Sequence, residues 1–294
     1  MNLDRRLHAF REDIADAALR GRVDALRFVK PELCQVSVSH TALHGEPRID
    51  ASTITEALLG EPVNVFHVKD GWAFVQLVID SYVGYVPARC LTNQVLDPTH
   101  RIAVPSSLLY VKPDMKSNPV QQVYMNSLVS VVKVEGEFAR LRDHRFVWAR
   151  HLMPVHKHWD DPATIAEAFV NTPYLWGGKT YAGLDCSGLV QLAWQACGFD
   201  CPRDTDMMQD GFGEPLKRNR ELKLLRNDLV FWKGHVGLML DDTNLVHANG
   251  YHMQVVIEPL AKAIKRIAEL YGQLTGVSRM PEMAELEAPG EAAQ

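Results

Sequence analysis

The spacing of apolar residues near the start of the chain is that of a helix. Between residues 4 and 20 the apolar side chains recur at intervals of three or four, at Leu7, Phe10, Ile14, Ala17 and Ala18. One face of a helix would collect all of these positions. The pattern therefore predicts a short amphipathic helix within an N-terminal helical segment, residues 1–29.

From about residue 30 to residue 155 the pattern changes to short alternating runs interrupted by Gly, Asp, Asn and Pro, which is typical of small β-barrels. A strand, an acidic-Gly turn, a second strand and an aromatic-containing strand follow one another twice. The second copy ends in Ala149-Arg150-His151-Leu152, which matches Ala88-Arg89-Cys90-Leu91 of the first copy. The repeat predicts a tandem duplication of one barrel, at residues 30–95 and 96–157.

A third pattern extends from residue 158 to residue 280. Its apolar spacing predicts helices at residues 162–170, 187–197 and 261–271. Alternating runs predict strands at residues 228–232, 235–240, 245–248 and 255–257. Helices followed by antiparallel strands form an α+β domain, and this order places Cys186 at the N-terminus of the second helix. Residues 281–294, rich in Glu, Ala and Pro, are predicted to be a disordered tail.

Composition narrows the class of protein. A chain of 294 residues with 47% hydrophobic and 23% charged residues is typical of a soluble globular protein of two or three domains. Its 31 basic and 36 acidic residues form no long block of either sign, so neither nucleic acid nor a membrane is an expected partner. No apolar run near the N-terminus has the length of a signal-peptide core, which favours a cytoplasmic location. Five cysteines without a regular framework indicate reduced thiols.

The segment Asp185-Cys186-Ser187-Gly188 has the features of a nucleophile site. A helix N-terminus lowers the pKa of a thiol and supplies N–H groups that stabilise an oxyanion, so Cys186 is the candidate nucleophile. Such a cysteine needs a base, which is usually a histidine. His235 begins one predicted strand and His247 lies on the next, so adjacent antiparallel strands bring a base and a group that orients it together.

Metal chemistry is not required by these residues. Cys197 and Cys201 have no second ligand pair nearby at zinc-finger spacing. His156 and His158 form a His-X-His pair in a linker without a third ligand. We therefore expect neither a metal nor another cofactor.

Several motifs occur in one order along residues 165–260: Tyr174-Leu175-Trp176-Gly177-Gly178, Gly183-Leu184-Asp185-Cys186-Ser187-Gly188, Pro202-Arg203-Asp204, Asp228-Leu229-Val230-Phe231, His235-Val236-Gly237 and Leu245-Val246-His247. Together they closely resemble the NlpC/p60 family of cysteine peptidases, and an ordered set is far more specific than one motif. The resemblance implies a triad of Cys186, His235 and His247. Residues 80–86 similarly resemble the closing segment of bacterial SH3-like domains. The expected fold is α+β, a papain-like cysteine peptidase domain preceded by two small SH3-like β-barrels.

This arrangement further resembles the γ-D-glutamyl-L-diamino-acid endopeptidases, which act on murein peptides with a free N-terminal L-Ala. The matching positions imply a set of substrate contacts: Tyr174, Asp185, Ser187, Thr205 and, from the first barrel, Tyr82. Asp185 is expected to meet the substrate ammonium. Thr205 stands where the subgroup often has Ser, which keeps the hydroxyl. The barrel acid of the subgroup has no single counterpart, because three acids lie in range: Glu46, Glu56 and Glu61.

Arg203 and Asp204 are interpreted either as a local ion pair that shapes the pocket wall or as a surface pair.

The leading hypothesis is a cytoplasmic cysteine endopeptidase that cleaves γ-D-glutamyl-L-diamino-acid bonds in short murein peptides during cell-wall recycling. A second hypothesis is an exported hydrolase whose barrels bind intact murein. A third is a murein-binding protein without activity. The sequence leaves open which diamino acid is accepted, whether the amino terminus must be free, and the oligomeric state.

Overall fold

The computed structural model describes residues 3–217 and 222–280, and the predicted tail at residues 281–294 lies outside the described residues. The first segment contains β1 (Ala15–Asp16), a 3-10 turn (Ala17–Leu19) and β2 (Phe28–Val29), which pairs in parallel with β1. No α-helix is found in residues 3–29, so the prediction of an amphipathic helix there is wrong.

The first segment lies along the neighbouring barrel instead. The Val83 amide donates to the carbonyl of Arg6 at 2.8 Å, and the side-chain amide of Gln76 donates to the carbonyl of Leu7 at 2.8 Å. Ile14 packs in a cluster with Phe74 of the barrel. These tertiary contacts override the local helical spacing, which is a weak preference on its own.

The first barrel is one antiparallel sheet of seven strands, with spatial order β5-β4-β8-β7-β6-β3-β9. The strands are β3 (Glu32–Val36), β4 (His40–His44), β5 (Thr53–Leu58), β6 (Pro62–Lys69), β7 (Trp72–Leu77), β8 (Val83–Pro87) and β9 (Leu91–Thr92). Alternate side chains, such as those of Val63, Val65 and Leu77, are buried in its core, which is the pattern that predicted the strands.

The second barrel combines a sheet of order β12-β11-β16-β15-β14 with a sheet of order β13-β10-β17. The strands are β10 (His100–Ile102), β11 (Ser106–Tyr110), β12 (Pro119–Tyr124), β13 (Leu128–Val129), β14 (Val131–Glu135), β15 (Phe138–Leu141), β16 (Phe146–Trp148) and β17 (Leu152–Pro154). The repeated sequence ending folds alike in both barrels, as a 3-10 turn at Ala88–Cys90 and at Ala149–His151, each followed by a short strand. This likeness supports the interpretation of a duplication.

The third unit has a buried helix packed on an antiparallel sheet of order β20-β25-β21-β22-β23-β24. Its elements are α1 (Pro162–Glu167), β18 (Lys179–Thr180), β19 (Gly183–Leu184), α2 (Cys186–Ala196), α3 (Thr205–Gly211), β20 (Glu214–Pro215), β21 (Leu229–Trp232), β22 (His235–Met239), β23 (Asn244–Asn249), β24 (Gln254–Pro259), α4 (Leu260–Tyr271) and β25 (Gly276–Arg279). Every residue of α2 is buried. The predicted α+β class is confirmed, whereas α3, β20 and β25 were missed because they lie in polar or very short segments.

The first barrel meets the third unit through buried charges. The ammonium of Lys179 lies 3.2 Å from the carboxylate of Glu61, and both side chains are 1% exposed. The Lys179 amide donates to Glu56 at 2.7 Å. Gly177 has a φ of +76°, and a Cβ there would lie 2.6 Å from the carbonyl oxygen of Thr53, so only glycine allows this approach. These contacts hold the first barrel against the segment that leads into α2.

Candidate active site

Cys186 is the first residue of α2, and Asp185 caps that helix. The Asp185 carboxylate accepts hydrogen bonds from the Gly188 amide at 2.6 Å and the Gly177 amide at 2.9 Å. Capping of this kind fixes where the helix begins, and the first amides of a helix have no partner within it. Cys186 therefore lies at the N-terminal amides of α2, and it lines a cleft of about 610 Å³.

The strand that carries His235 faces this thiol. The Cys186 sulfur lies 4.0 Å from the carbonyl oxygen of Gly234, and the Val236 amide also contacts the sulfur. Both neighbours of His235 in the chain thus reach Cys186. His235 Nε2 lies 2.8 Å from Nδ1 of His247 on the adjacent strand, β23. The structure thereby joins His235 to His247 and places the backbone on both sides of His235 against Cys186, as the predicted triad requires.

Burial shifts the pKa values of both Cys186 and His235. Burial, with a smaller contribution from the Asp185 carboxylate, raises the pKa of Cys186 to about 11, so the lowering expected from the helix N-terminus does not prevail. Burial first, and then the neighbouring His247, lower the pKa of His235 to about 3. Both shifts favour the neutral form of the side chain. Transfer of the thiol proton to His235 creates the two charges side by side, which costs less than forming either one alone.

Two polar contacts beyond His247 were missed by the sequence analysis. His247 Nε2 lies 2.8 Å from Oε1 of Glu258 on β24 and 3.1 Å from Nδ2 of Asn249. His247 is fully buried and Glu258 is 14% exposed. Glu258 is 72 residues from Cys186 by their numbers, so only the strand order β22-β23-β24 makes it a neighbour of the site.

Arg203 was expected either to pair with Asp204 or to lie at the surface. It is instead buried and paired with Asp185. Its side chain is 1% exposed and its two terminal nitrogens donate to the two oxygens of Asp185 at 3.0 Å and 2.7 Å. It donates further to the hydroxyls of Ser187 at 2.7 Å and Thr55 at 2.8 Å. Such a two-point contact is the strongest form of an Arg-carboxylate pair.

The Asp185 carboxylate has several donors around it. It accepts two bonds from Arg203 and two from backbone amides, and the Ser187 hydroxyl lies 3.4 Å from its Oδ1. Asp185 therefore caps α2 and holds Arg203. It also lines the cleft, and its contact with a substrate ammonium stays a prediction.

Asp204 is one of the aspartates that line the cleft, and it lies beside Tyr82 of the first barrel. Its Oδ2 accepts hydrogen bonds from the hydroxyl of Tyr82 at 2.8 Å and from Arg6 at 2.8 Å. Among the described residues no hydrogen-bond partner is found for its Oδ1. Tyr82, from the first barrel, lines the cleft together with Asp204, so the barrel forms one wall of the cleft.

The other predicted substrate contacts also line the cleft. Tyr174 precedes the Gly-rich turn, Ser187 follows the thiol, and Thr205 begins α3. The Thr205 side chain contacts the Cys186 sulfur and, like the Val236 amide, opposes the rise in the pKa of that thiol.

None of the three barrel acids considered from sequence lines the cleft. Glu46 is 65% exposed and pairs with Arg48. Glu61 is buried against Lys179. Glu56 is buried and its carboxylate accepts from the Lys179 amide, with His40 at 3.4 Å. These acids join domains or face solvent, whereas Asp204 lines the cleft in contact with the barrel residue Tyr82.

Residues 3–217 and 222–280 were searched for metal-binding clusters and for membrane-spanning helices. Within these ranges no group of three or more His, Cys, Asp or Glu side chains is arranged to hold a metal ion. Over the same ranges, every helix is too short or too polar to cross a membrane.

A buried thiol at a helix N-terminus, faced by a histidine pair on an antiparallel sheet, defines a papain-like cysteine peptidase. Residues 171–268 match the NlpC/P60 family, and residues 43–91 match the bacterial dipeptidyl-peptidase SH3 domain. The chain therefore carries an NlpC/P60 cysteine peptidase domain behind a bacterial SH3 domain.

Similar proteins cover both parts of the chain. Dipeptidyl-peptidase 6 of Lysinibacillus sphaericus is 27% identical over 238 residues, which are 70% of this chain and 84% of that protein. The gamma-D-glutamyl-L-lysine dipeptidyl-peptidase of Bacillus cereus is 27% identical over 240 residues, 70% of each chain. The crystal structure of an NlpC/P60 family protein from Bacillus cereus shares the fold, with a TM-score of 0.72, 20% identity, and coverage of 85% of this chain and all of that one.

Proposed function

We propose that this peptidase cleaves the bond between γ-D-glutamate and an L-diamino acid in short murein peptides whose N-terminal L-Ala is free. The observation that carries the proposal is the barrel wall of the cleft, where Tyr82 and Asp204 lie beside the nucleophile Cys186. A wall at that end leaves room for few residues ahead of the cleaved bond. The names of the two relatives, both dipeptidyl-peptidases, support the same length limit.

The residues of the cleft suffice for acyl transfer. His235 takes the thiol proton of Cys186, and the sulfur attacks the γ-carbonyl carbon of D-glutamate. The first amides of α2 stabilise the oxyanion. His235 then gives its proton to the leaving amine of the diamino acid, which leaves a thioester on Cys186. Water attacks the thioester with His235 as base, so L-Ala-γ-D-Glu is released and the thiol regains its proton.

The assay offers purified protein L-Ala-γ-D-Glu-diaminopimelate. We expect release of L-Ala-γ-D-Glu and free diaminopimelate, measured by chromatography. The N-acetylated peptide, which has lost its charge and gained bulk at the walled end, should not be cleaved.

Intact sacculi should neither be cleaved nor retain the protein on sedimentation, which is the result that favours a cytoplasmic role in recycling. Cleavage of sacculi would instead support an exported hydrolase, and no cleavage of any peptide would contradict the proposal.

Asp204→Asn is expected to weaken binding of the free amino end. Its Oδ1 has no hydrogen-bond partner within residues 3–217 and 222–280, and a hydrogen bond to a charged group is worth about 1.5–3 kcal/mol, or roughly 10-fold to 150-fold in KM. We expect KM to rise by that factor with little change in kcat. The matched control is Asp4→Asn, which removes another carboxylate partner of Arg6 outside the cleft. An unchanged KM in Asp204→Asn, or an equal rise in both variants, would exclude this role.

A further inference from the structure

Two groups compete for one nitrogen of His247. Glu258 Oε1 lies 2.8 Å and Asn249 Nδ2 lies 3.1 Å from His247 Nε2. An ionised carboxylate only accepts hydrogen bonds, whereas the amide nitrogen of Asn only donates. Glu258 therefore requires a proton on Nε2 of His247, and Asn249 requires a lone pair there. The two neighbours favour opposite tautomers of the same ring.

The surroundings favour Glu258 in this competition. A hydrogen bond to an ionised acceptor is roughly twice as strong as one between neutral groups. The carboxylate is kept ionised because the pKa of Glu258 is lowered to about 2 by His247 and Arg266, against the opposing effect of burial. Arg266 of α4 pairs with the same oxygen, Oε1, that contacts His247, and it stacks over the Tyr251 ring at 4.6 Å. The Asn249 side chain is held elsewhere, since its oxygen accepts from the His252 amide at 2.9 Å.

The tautomer of His247 decides the state of the base. With its proton on Nε2, His247 presents Nδ1 as an acceptor, so the contact at 2.8 Å requires His235 to donate from its own Nε2. The other nitrogen of His235, Nδ1, then carries a lone pair that can take the proton of Cys186. In the opposite tautomer His247 donates from Nδ1, so the neutral His235 must carry its proton on Nδ1. In that form the lone pair of His235 is on Nε2, where it accepts from His247, and Nδ1 has none with which to take the thiol proton.

We propose that Glu258 is a positioning residue that keeps His235 in its basic tautomer by holding the proton of His247 on Nε2. The inference rests on His235 acting as base in the peptidase described above. It does not depend on which murein peptide is the substrate. Glu258 is not among the residues that line the cleft, so we expect its effect to pass through His247.

Glu258→Gln is the direct test. The neutral amide no longer outcompetes Asn249, so both tautomers of His247 become populated. We expect kcat to fall by roughly 100-fold, within the range of a general-base contribution, with KM changed by less than about 3-fold. The conservative variant Glu258→Asp should recover part of kcat. Adding Asn249→Ala to Glu258→Gln should also recover part of kcat, because it removes the donor that favours the inactive tautomer.

Arg266→Gln is the matched control. It removes the other charged partner of Glu258 and leaves the carboxylate on His247, so we expect a much smaller loss of kcat. If Arg266→Gln and Glu258→Gln lose equal activity, or if Glu258→Gln raises KM alone, the contact with His247 is merely structural and the inference is overturned.

Two measurements test this inference without a murein peptide. Side-chain ¹⁵N NMR of the resting protein reports the His247 tautomer, and we expect protonated Nε2 in the parent and a shift toward protonated Nδ1 in Glu258→Gln. Alkylation of Cys186 by iodoacetamide near pH 7 should slow in the same variant. An unchanged tautomer in Glu258→Gln overturns the inference even where peptide cleavage is normal. Failure of the parent protein to cleave murein peptides, with the NMR shift present, refutes only the proposed substrate.

Discussion

Cys186→Ala protein is expected to release no L-Ala-γ-D-Glu from the tripeptide, a loss of at least roughly 10⁴-fold in kcat, because a nucleophile acts together with its base and oxyanion donors as one unit. The alanine side chain fits the space of the thiol, so the fold and the cleft should remain. The measurement is product release by chromatography, with thermal unfolding of both proteins as the check on folding.

Cys197 is the matched control for this prediction, because it lies at the opposite end of the same helix. It caps α2 at its C-terminus, is 1% exposed, and burial raises the pKa of its thiol to about 12. Cys197→Ala should keep kcat and cost only a small amount of stability. Full activity in Cys186→Ala, or equal loss in both variants, would remove Cys186 from the mechanism.

Arg203→Met should both destabilise the protein and reduce cleavage. The substitution leaves the Asp185 carboxylate buried without its counterion, directly beneath Cys186. Breaking a buried pair by removing one partner typically costs about 3–5 kcal/mol. We expect a loss of that size in the free energy of unfolding, measured by chemical denaturation, together with a lower kcat because the start of α2 is no longer held.

The control for Arg203 is Arg48→Met, since Arg48 pairs with exposed acids, Glu46 and Asp50. An exposed pair is worth about 0–1 kcal/mol, so this variant should unfold almost as the parent does. Adding Asp185→Asn to Arg203→Met should recover part of the lost stability, because it removes the unpaired charge. Equal effects of Arg203→Met and Arg48→Met would show that the Asp185 contact is not the source of the loss.

The site was predictable from sequence where its signals are local. A helix begins within a few residues of its capping Asp, so the spacing of apolar residues after Cys186 sufficed to place the thiol at a helix N-terminus. His235 and His247 lie on neighbouring strands joined by a short turn, and period-two alternation predicted both strands. The ordered motifs around them then pointed to the peptidase class.

The N-terminal segment shows where local signals fail. Its apolar residues have helical spacing, but their burial is satisfied by Phe74 and its neighbours in the barrel, and the backbone bonds to Val83 rather than to itself. A pattern within 17 residues carries no information about a barrel surface more than 50 residues away.

Local spacing and the ordered motifs were enough for the amino-acid sequence to predict the fold class, a candidate nucleophile and its histidine pair. Contacts between side chains from distant parts of the chain were decided only by the way the helix, sheet and barrel pack. Folding brings Arg203 under Asp185, Asp204 against Tyr82, and Glu258 behind His247. Each of these contacts joins side chains whose charge or polarity alone gives no hint of a partner, because burial and direction arise only when the sheet, the helix and the barrel are assembled.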